Sequence, residues 1–165
     1  MKKLINTAFI YAIASIASGV FYREFTKFMA FEWRTTLAFT HLHLFVLGTI
    51  VFLILALFSL HTDLLLQKKF KSFFLTYNFG LPLMIVIFFV RGILQVLKTP
   101  LAAGINAALS GIAGITHTIL TVAIILLYLM LKNVSKTVDN CNCENLLKAT
   151  IYGTLVCRYR KRLSL

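Results

Sequence analysis

Four ionisable side chains stand where an apolar helix would not ordinarily carry them: His41, His43, Arg91 and His117. Imidazole can ligate a metal, move a proton or hydrogen-bond a neighbouring helix. Guanidinium is a fixed cation that matches a carboxylate or phosphate bidentately. Such groups are costly in a membrane span and usually face a bundle interior or a cavity. Their types and grouping therefore raise the question of a bound cofactor, metal or anion.

The elements that would carry them are four apolar spans. Leu4 to Tyr22 has no charge in 19 residues. Thr35 to Leu60 has only His41 and His43 as ionisable groups, Ser72 to Leu97 only Arg91, and about Ala107 to Leu131 only His117. Each is long enough to cross a hydrocarbon layer, which takes about 20 apolar residues. The alternating segments of a β-barrel are absent, and helix is the form that satisfies its own backbone in lipid. The expected fold is all-α: an integral membrane four-helix bundle over residues 1–132, with helices at about 4–22, 35–60, 72–97 and 107–131, followed by a basic cytoplasmic tail over 133–165.

Composition agrees. The chain has 165 residues, 59% hydrophobic and 13% charged, with a mean hydropathy of +0.87. Soluble domains carry about 45–50% apolar and about 25% charged residues, so the departure points to a membrane protein. Disorder and a disulfide scaffold are excluded by the apolar content and by only three Cys. The net charge of +12 reads as topology. With four spans both termini share a side, and that side carries Lys2, Lys3, Lys68, Lys69, Lys71, Lys132, Lys136, Lys148, Arg158, Arg160, Lys161 and Arg162. The other side carries Arg23, Lys27, Arg34 and Lys98. The positive-inside rule then puts both termini in the cytoplasm. Nucleic acid is not an expected partner; the lipid bilayer is, with another membrane subunit or a homo-oligomer as further partners. A cleaved signal peptide over Met1 to about Ser18 is the competing reading of the first span. In the tail, Cys141, Cys143 and Cys157 lack a second pair at zinc-site spacing, and residues 144–157 could form an amphipathic helix, with the basic Arg158 to Arg162 following.

Depth groups the four unusual residues. At ~1.5 Å per residue, His41 and Arg91 lie roughly 9 Å below the outer surface, His43 roughly 12 Å and His117 roughly 15 Å. All fall in the outer half. At about 100° per residue, His41 and His43 are about 200° apart and cannot address one atom. His41 shares its face with Gly48, and His43 with Thr36 and Thr40. Asn106, Ser110, Gly114, His117 and Thr121 share one side of the fourth helix, Arg91 stacks with Gln95 on the third, and Thr7, Tyr11, Ser18 and Tyr22 form a polar stripe on the first. Two His from different helices with small residues between them and an Arg nearby suit a b-type haem, with the His residues as axial ligands and Arg91 for the propionates.

The stretch Thr40-His41-Leu42-His43-Leu44-Phe45-Val46-Leu47-Gly48 resembles the second-helix pattern of haem–copper oxidase and nitric oxide reductase large subunits, in which a haem-ligating His precedes a Gly about two turns later. Up to about Lys132 the chain also resembles a group of small uncharacterised bacterial four-helix membrane proteins related to that superfamily. The resemblance implies a bacterial inner-membrane protein with His41 as a haem ligand and His117 opposite it. The chain departs from those subunits in having only His61 left over, in a cytoplasmic loop, so a binuclear oxygen- or nitric-oxide-reducing centre is not expected. Gly spacing favours His41 over His43, and depth relative to His117 favours His43.

The leading expectation is one haem b between the second and fourth helices, at His41 or His43 and His117 with Arg91, serving electron transfer or diatomic gas sensing. The alternative is a cofactor-free transport, assembly or structural membrane protein with an outer His and Arg site. Acid–base enzymology is disfavoured, since no Asp or Glu lies within a span.

Overall fold

The computed structural model describes residues 1–152, with side chains described through residue 136. It contains four long helices: α1 (Lys2–Phe28), α2 (Leu37–His61), α3 (Phe70–Val96) and α4 (Ala103–Tyr152). A short 3-10 turn, Leu64–Leu66, joins α2 to α3. No strand occurs among the described residues. All four helices are long and apolar enough to cross a membrane, α4 through its Ala103–Lys136 part. The fold is the all-α four-helix membrane bundle that the apolar spans predict. The helices overrun those spans because charge ends an apolar run but does not end a backbone ladder. α1 continues to Phe28, and α4 continues past Leu131 to Tyr152, into the segment read as a tail. The side chains of Cys141 and Cys143, with Cys157 and Arg158 to Arg162, lie outside the described residues, as does most of the amphipathic reading of 144–157.

Two helices end on the same device. After α1, Ala30 adopts φ 47°, its N–H bonds to Lys27 O, and the Phe31 N–H bonds to Thr26 O. After α3, Lys98 adopts φ 49°, with the Lys98 and Thr99 N–H groups on Gln95 O and Leu94 O. Both are left-handed Schellman caps, and Pro100 lies just beyond the second.

The helices pack in chain order. α1 lies along α2, α3 lies between α2 and α4, and α4 meets chiefly α3. The N-terminal half of α1 and α3 and the C-terminal half of α2 enclose an aromatic knot. Phe52 sits 5.8 Å from Tyr11, 5.8 Å from Phe74 and 5.5 Å from Tyr77, and Phe73 sits 5.3 Å from Tyr77. Within the knot the Tyr11 hydroxyl donates to Asn78 Oδ1 at 2.9 Å.

α2 is not regular. Leu37–His43 is α-helical, Leu44–Ile50 is π-helical and Val51–His61 returns to α. A switch from i→i+4 to i→i+5 pairing disturbs the carbonyl ladder where it begins and ends. The Tyr77 hydroxyl on α3 supplies a donor there, to Leu47 O at 2.9 Å. Tyr77→Phe keeps the ring and removes that donor. The expected cost is about 1–3 kcal/mol for a buried carbonyl losing a partner, read as a lowered thermal midpoint in detergent.

Glycine makes the closest approaches. A Cβ at Gly48 would stand 2.5 Å from Tyr11 Cγ, and one at Gly92 would stand 2.6 Å from the Leu37 backbone nitrogen. Gly104, Gly111 and Gly114 on α4 have nothing within 4 Å of such an atom. Gly92→Ala should therefore destabilise the bundle by about 1–3 kcal/mol through overpacking. Gly111→Ala should be neutral or stabilise it by up to about 1 kcal/mol through helix propensity. Thermal unfolding of the two variants side by side separates the effects.

Candidate functional site

The two histidines of α2 diverge, as a separation of two residues on a helix requires. His41 looks toward α1. Its Cβ and ring carbons lie 3.6 to 3.9 Å from the position of a Cβ on Gly19, and its backbone carbonyl accepts the Ser15 hydroxyl at 2.8 Å. Its Nδ1 is buried and has no hydrogen-bond partner among the described residues. Gly48, on the same face, is closed by Tyr11. The periodicity linking His41 and Gly48 therefore holds, but the space beside Gly48 belongs to a tyrosine ring of α1 and leaves no room there for a flat ligand.

His43 looks the other way, toward α3. Its ring meets Phe88 edge-on, with centroids 5.2 Å apart. His117 of α4 meets the same Phe88 at 5.9 Å. One phenyl ring of α3 thus stands between a histidine of α2 and a histidine of α4. Their hydrogen bonds match. His43 Nδ1 lies 2.8 Å from Phe39 O, and His117 Nδ1 lies 2.8 Å from Ala113 O, each one helical turn back. A carbonyl only accepts, so each Nδ1 carries a proton, and in its neutral form each ring leaves the Nε2 lone pair for a ligand. Such a bond fixes the tautomer of a ligating imidazole.

Arg91 follows Phe88 by three residues and shares its side of α3. Arg91 Nη1 donates to Ser110 Oγ on α4 at 3.4 Å. Gln95, one turn further, turns to α2. Its Oε1 accepts the Thr36 N–H at 2.9 Å, and the Thr36 hydroxyl donates to Phe88 O at 3.1 Å. Gln95 thus supplies an acceptor at the start of α2, where the N-cap residue makes no side-chain cap of its own. The face of α2 shared by Thr36 and His43 is the α3-facing one.

The structure brings together His43, His117 and Arg91 around Phe88 and directs His41 to the α1 contact. On α4, Ser110, Gly114, His117 and Thr121 lie exposed along one side, and Gly111 and Gly114 face open space. The site is therefore a lateral one, open beside α4. Among the described residues no three His, Cys, Asp or Glu side chains converge as a metal site. Phe88 was not singled out from the sequence, because a phenylalanine in an apolar run carries no signal until its neighbours are known. Asn78 did carry one, as an amide inside a span, and its partner Tyr11 lies on the polar stripe of α1. Gln95→Ala removes the acceptor from the Thr36 N–H. An expected loss of about 1 kcal/mol, with faster hydrogen exchange confined to the first turn of α2, would register this link.

Comparison with curated proteins and with solved structures gave no match. Residues 1–134 match the family model described as "Protein of unknown function (DUF2871)", and the chain belongs to that family.

Proposed function

We propose that this protein binds one b-type haem in the lateral site beside Phe88 and serves electron transfer in a bacterial cytoplasmic membrane, with both termini inside. The observation that carries the reading is the matched pair His43 and His117, each with Nδ1–H donated one turn back and Nε2 left free, on either side of one phenyl ring. The likeness of residues 40–48 to the haem-binding helix of haem–copper oxidase large subunits supports the same cofactor. The choice of ligand on α2 moves from His41 to His43, because His41 is taken up by the α1 contact.

The chemistry of the donor set fits the group. His43 and His117 would hold the iron through their imidazole nitrogens. Arg91, the cation of the cluster, would hold a propionate. Gly114, close to the His117 side of α4, has no neighbour within 4 Å of a Cβ, so that side is uncovered. When bound, a haem would supply a one-electron redox couple. The chain's own groups do the rest. The Phe39 and Ala113 carbonyls hold the two imidazole tautomers and Ser110 orients Arg91, while the Phe88 ring would have to leave the space between the imidazoles for both to reach one iron.

A second reading rests on Arg91. No carboxylate stands within ion-pair distance of it among the described residues, where the ion pair found is Arg23 with Glu24. A fixed cation beside Ser110 and His117 could hold a small anion in a cofactor-free transport or assembly protein.

The deciding measurement is the visible spectrum of detergent-purified protein, expressed with haem supply, oxidised and then reduced by dithionite. A Soret band with sharp reduced α and β bands is expected. His43→Ala and His117→Ala should each abolish the low-spin spectrum, whereas His41→Ala should retain it. Loss in His41→Ala with retention in His43→Ala would reverse the ligand choice. No haem absorbance in folded protein would overturn the haem reading and leave the anion site.

A further inference from the structure

Lysines from three helices meet at one end of the bundle. Lys3 of α1 holds its Nζ 4.4 Å from the centre of the Phe74 ring on α3, which brings the starts of the two helices together. Lys71 lies one turn before Phe74 on the same side of α3, and Lys68 and Lys69 lead into that helix. α4 reaches the same end. Its Val134 is buried in one core cluster with Leu64 of the 3-10 turn, and Lys132 and Lys136 flank it. With Lys2, these seven lysines are all exposed. Asp63 is the one acidic side chain at this end among the described residues. At the opposite end Arg23, Lys27, Arg34 and Lys98 are offset by Glu24 and Glu32, and Arg23 lies 4.0 Å from Glu24.

The cations sit directly above exposed hydrocarbon. Lys71, Leu75 and Phe79 follow one another at helical spacing along a single face of α3, and Leu75 and Phe79 are 69% and 62% exposed. Leu66, on the neighbouring turn, is 81% exposed. A cationic rim over an apolar ridge has the shape of an amphiphile whose head is an anion and whose body is an acyl chain. A soluble acidic partner would match the rim and leave the ridge unused.

We propose that this end of the bundle binds an anionic phospholipid, with its phosphodiester on Lys3, Lys68, Lys69 and Lys71 and an acyl chain along Leu75 and Phe79. This rests on the lysine end alone and is independent of any cofactor at Phe88. A basic side chain near a membrane surface contributes about fivefold in affinity for anionic lipid, so four of them give a large and divisible preference.

The test is native mass spectrometry of the full chain in detergent, with phosphatidylglycerol or phosphatidylcholine of the same acyl composition. The wild-type chain should retain phosphatidylglycerol preferentially. The combined variant Lys3→Gln, Lys68→Gln, Lys69→Gln, Lys71→Gln should lose that preference, and single variants should each weaken it by about fivefold. The control Arg23→Gln, Lys27→Gln, Arg34→Gln should keep it. Thermal unfolding in phosphatidylcholine micelles checks that each variant is folded. Equal retention of the two lipids by the wild type, an undiminished preference in the lysine variant, or an equal loss in the control would overturn the proposal. Displacement of the lipid by inorganic phosphate at matched concentration would assign the lysines to free anions and overturn it as well.

Discussion

The hydrogen bond from the Tyr77 hydroxyl to the Leu47 carbonyl is the contact on which the arrangement of α2 turns. In hydrocarbon a backbone group without a partner costs several kcal/mol, because no water can replace it. A π-helical turn from Leu44 to Ile50 is therefore tolerable only where a neighbouring helix offers donors. α3 offers one through Tyr77, itself seated in the aromatic knot with Phe52 and Phe73. Tyr11 presses against Gly48 from the other side. The irregular turn is thus clamped between α1 and α3, and the clamp sets how the residues before it are presented. His41 goes to α1 and His43 to α3.

The bundle divides along its length. The half that carries the N-terminus is closed by stacked aromatic rings and by Tyr11 on Asn78. The other half is held by smaller polar links, among them Ser15 on the His41 carbonyl, Thr36 on Phe88 and Gln95, and Arg91 on Ser110. Among the described residues α4 packs chiefly on α3, and the side of α4 that carries His117 is exposed. A rigid knot at one end and an open polar face at the other is a reasonable division between stability and binding, since binding groups work best on elements fixed elsewhere. The lysine end makes a third region, in which charge rather than packing sets the chemistry.

Much of this was legible from residue order. The four spans, the opposition of His41 and His43 and the joint face of Ser110, Gly114 and His117 all follow from apolar run length and helix turn. Less visible were the π-helical turn and the role of Phe88. The turn has no compositional mark beyond Gly48, and Phe88 is one of 15 phenylalanines. The expected gap beside Gly48 failed for a related reason. A glycine announces close approach, and only the fold says that Tyr11 is what approaches.

The sequence alone determined that four helices form, where each apolar span lies and which residues share a side of each. These properties depend on the backbone ladder and on periodicity within a single helix. Only the tertiary structure decided that the face of His43 meets α3, that the face of His41 meets α1, and that one phenyl ring separates His43 from His117. Lipid is as apolar as the helix surfaces, so no hydrophobic gradient tells one helix side which neighbour to choose. That choice rests on shape, on the glycines at close crossings and on a few interhelical hydrogen bonds, and these exist only once the helices have met.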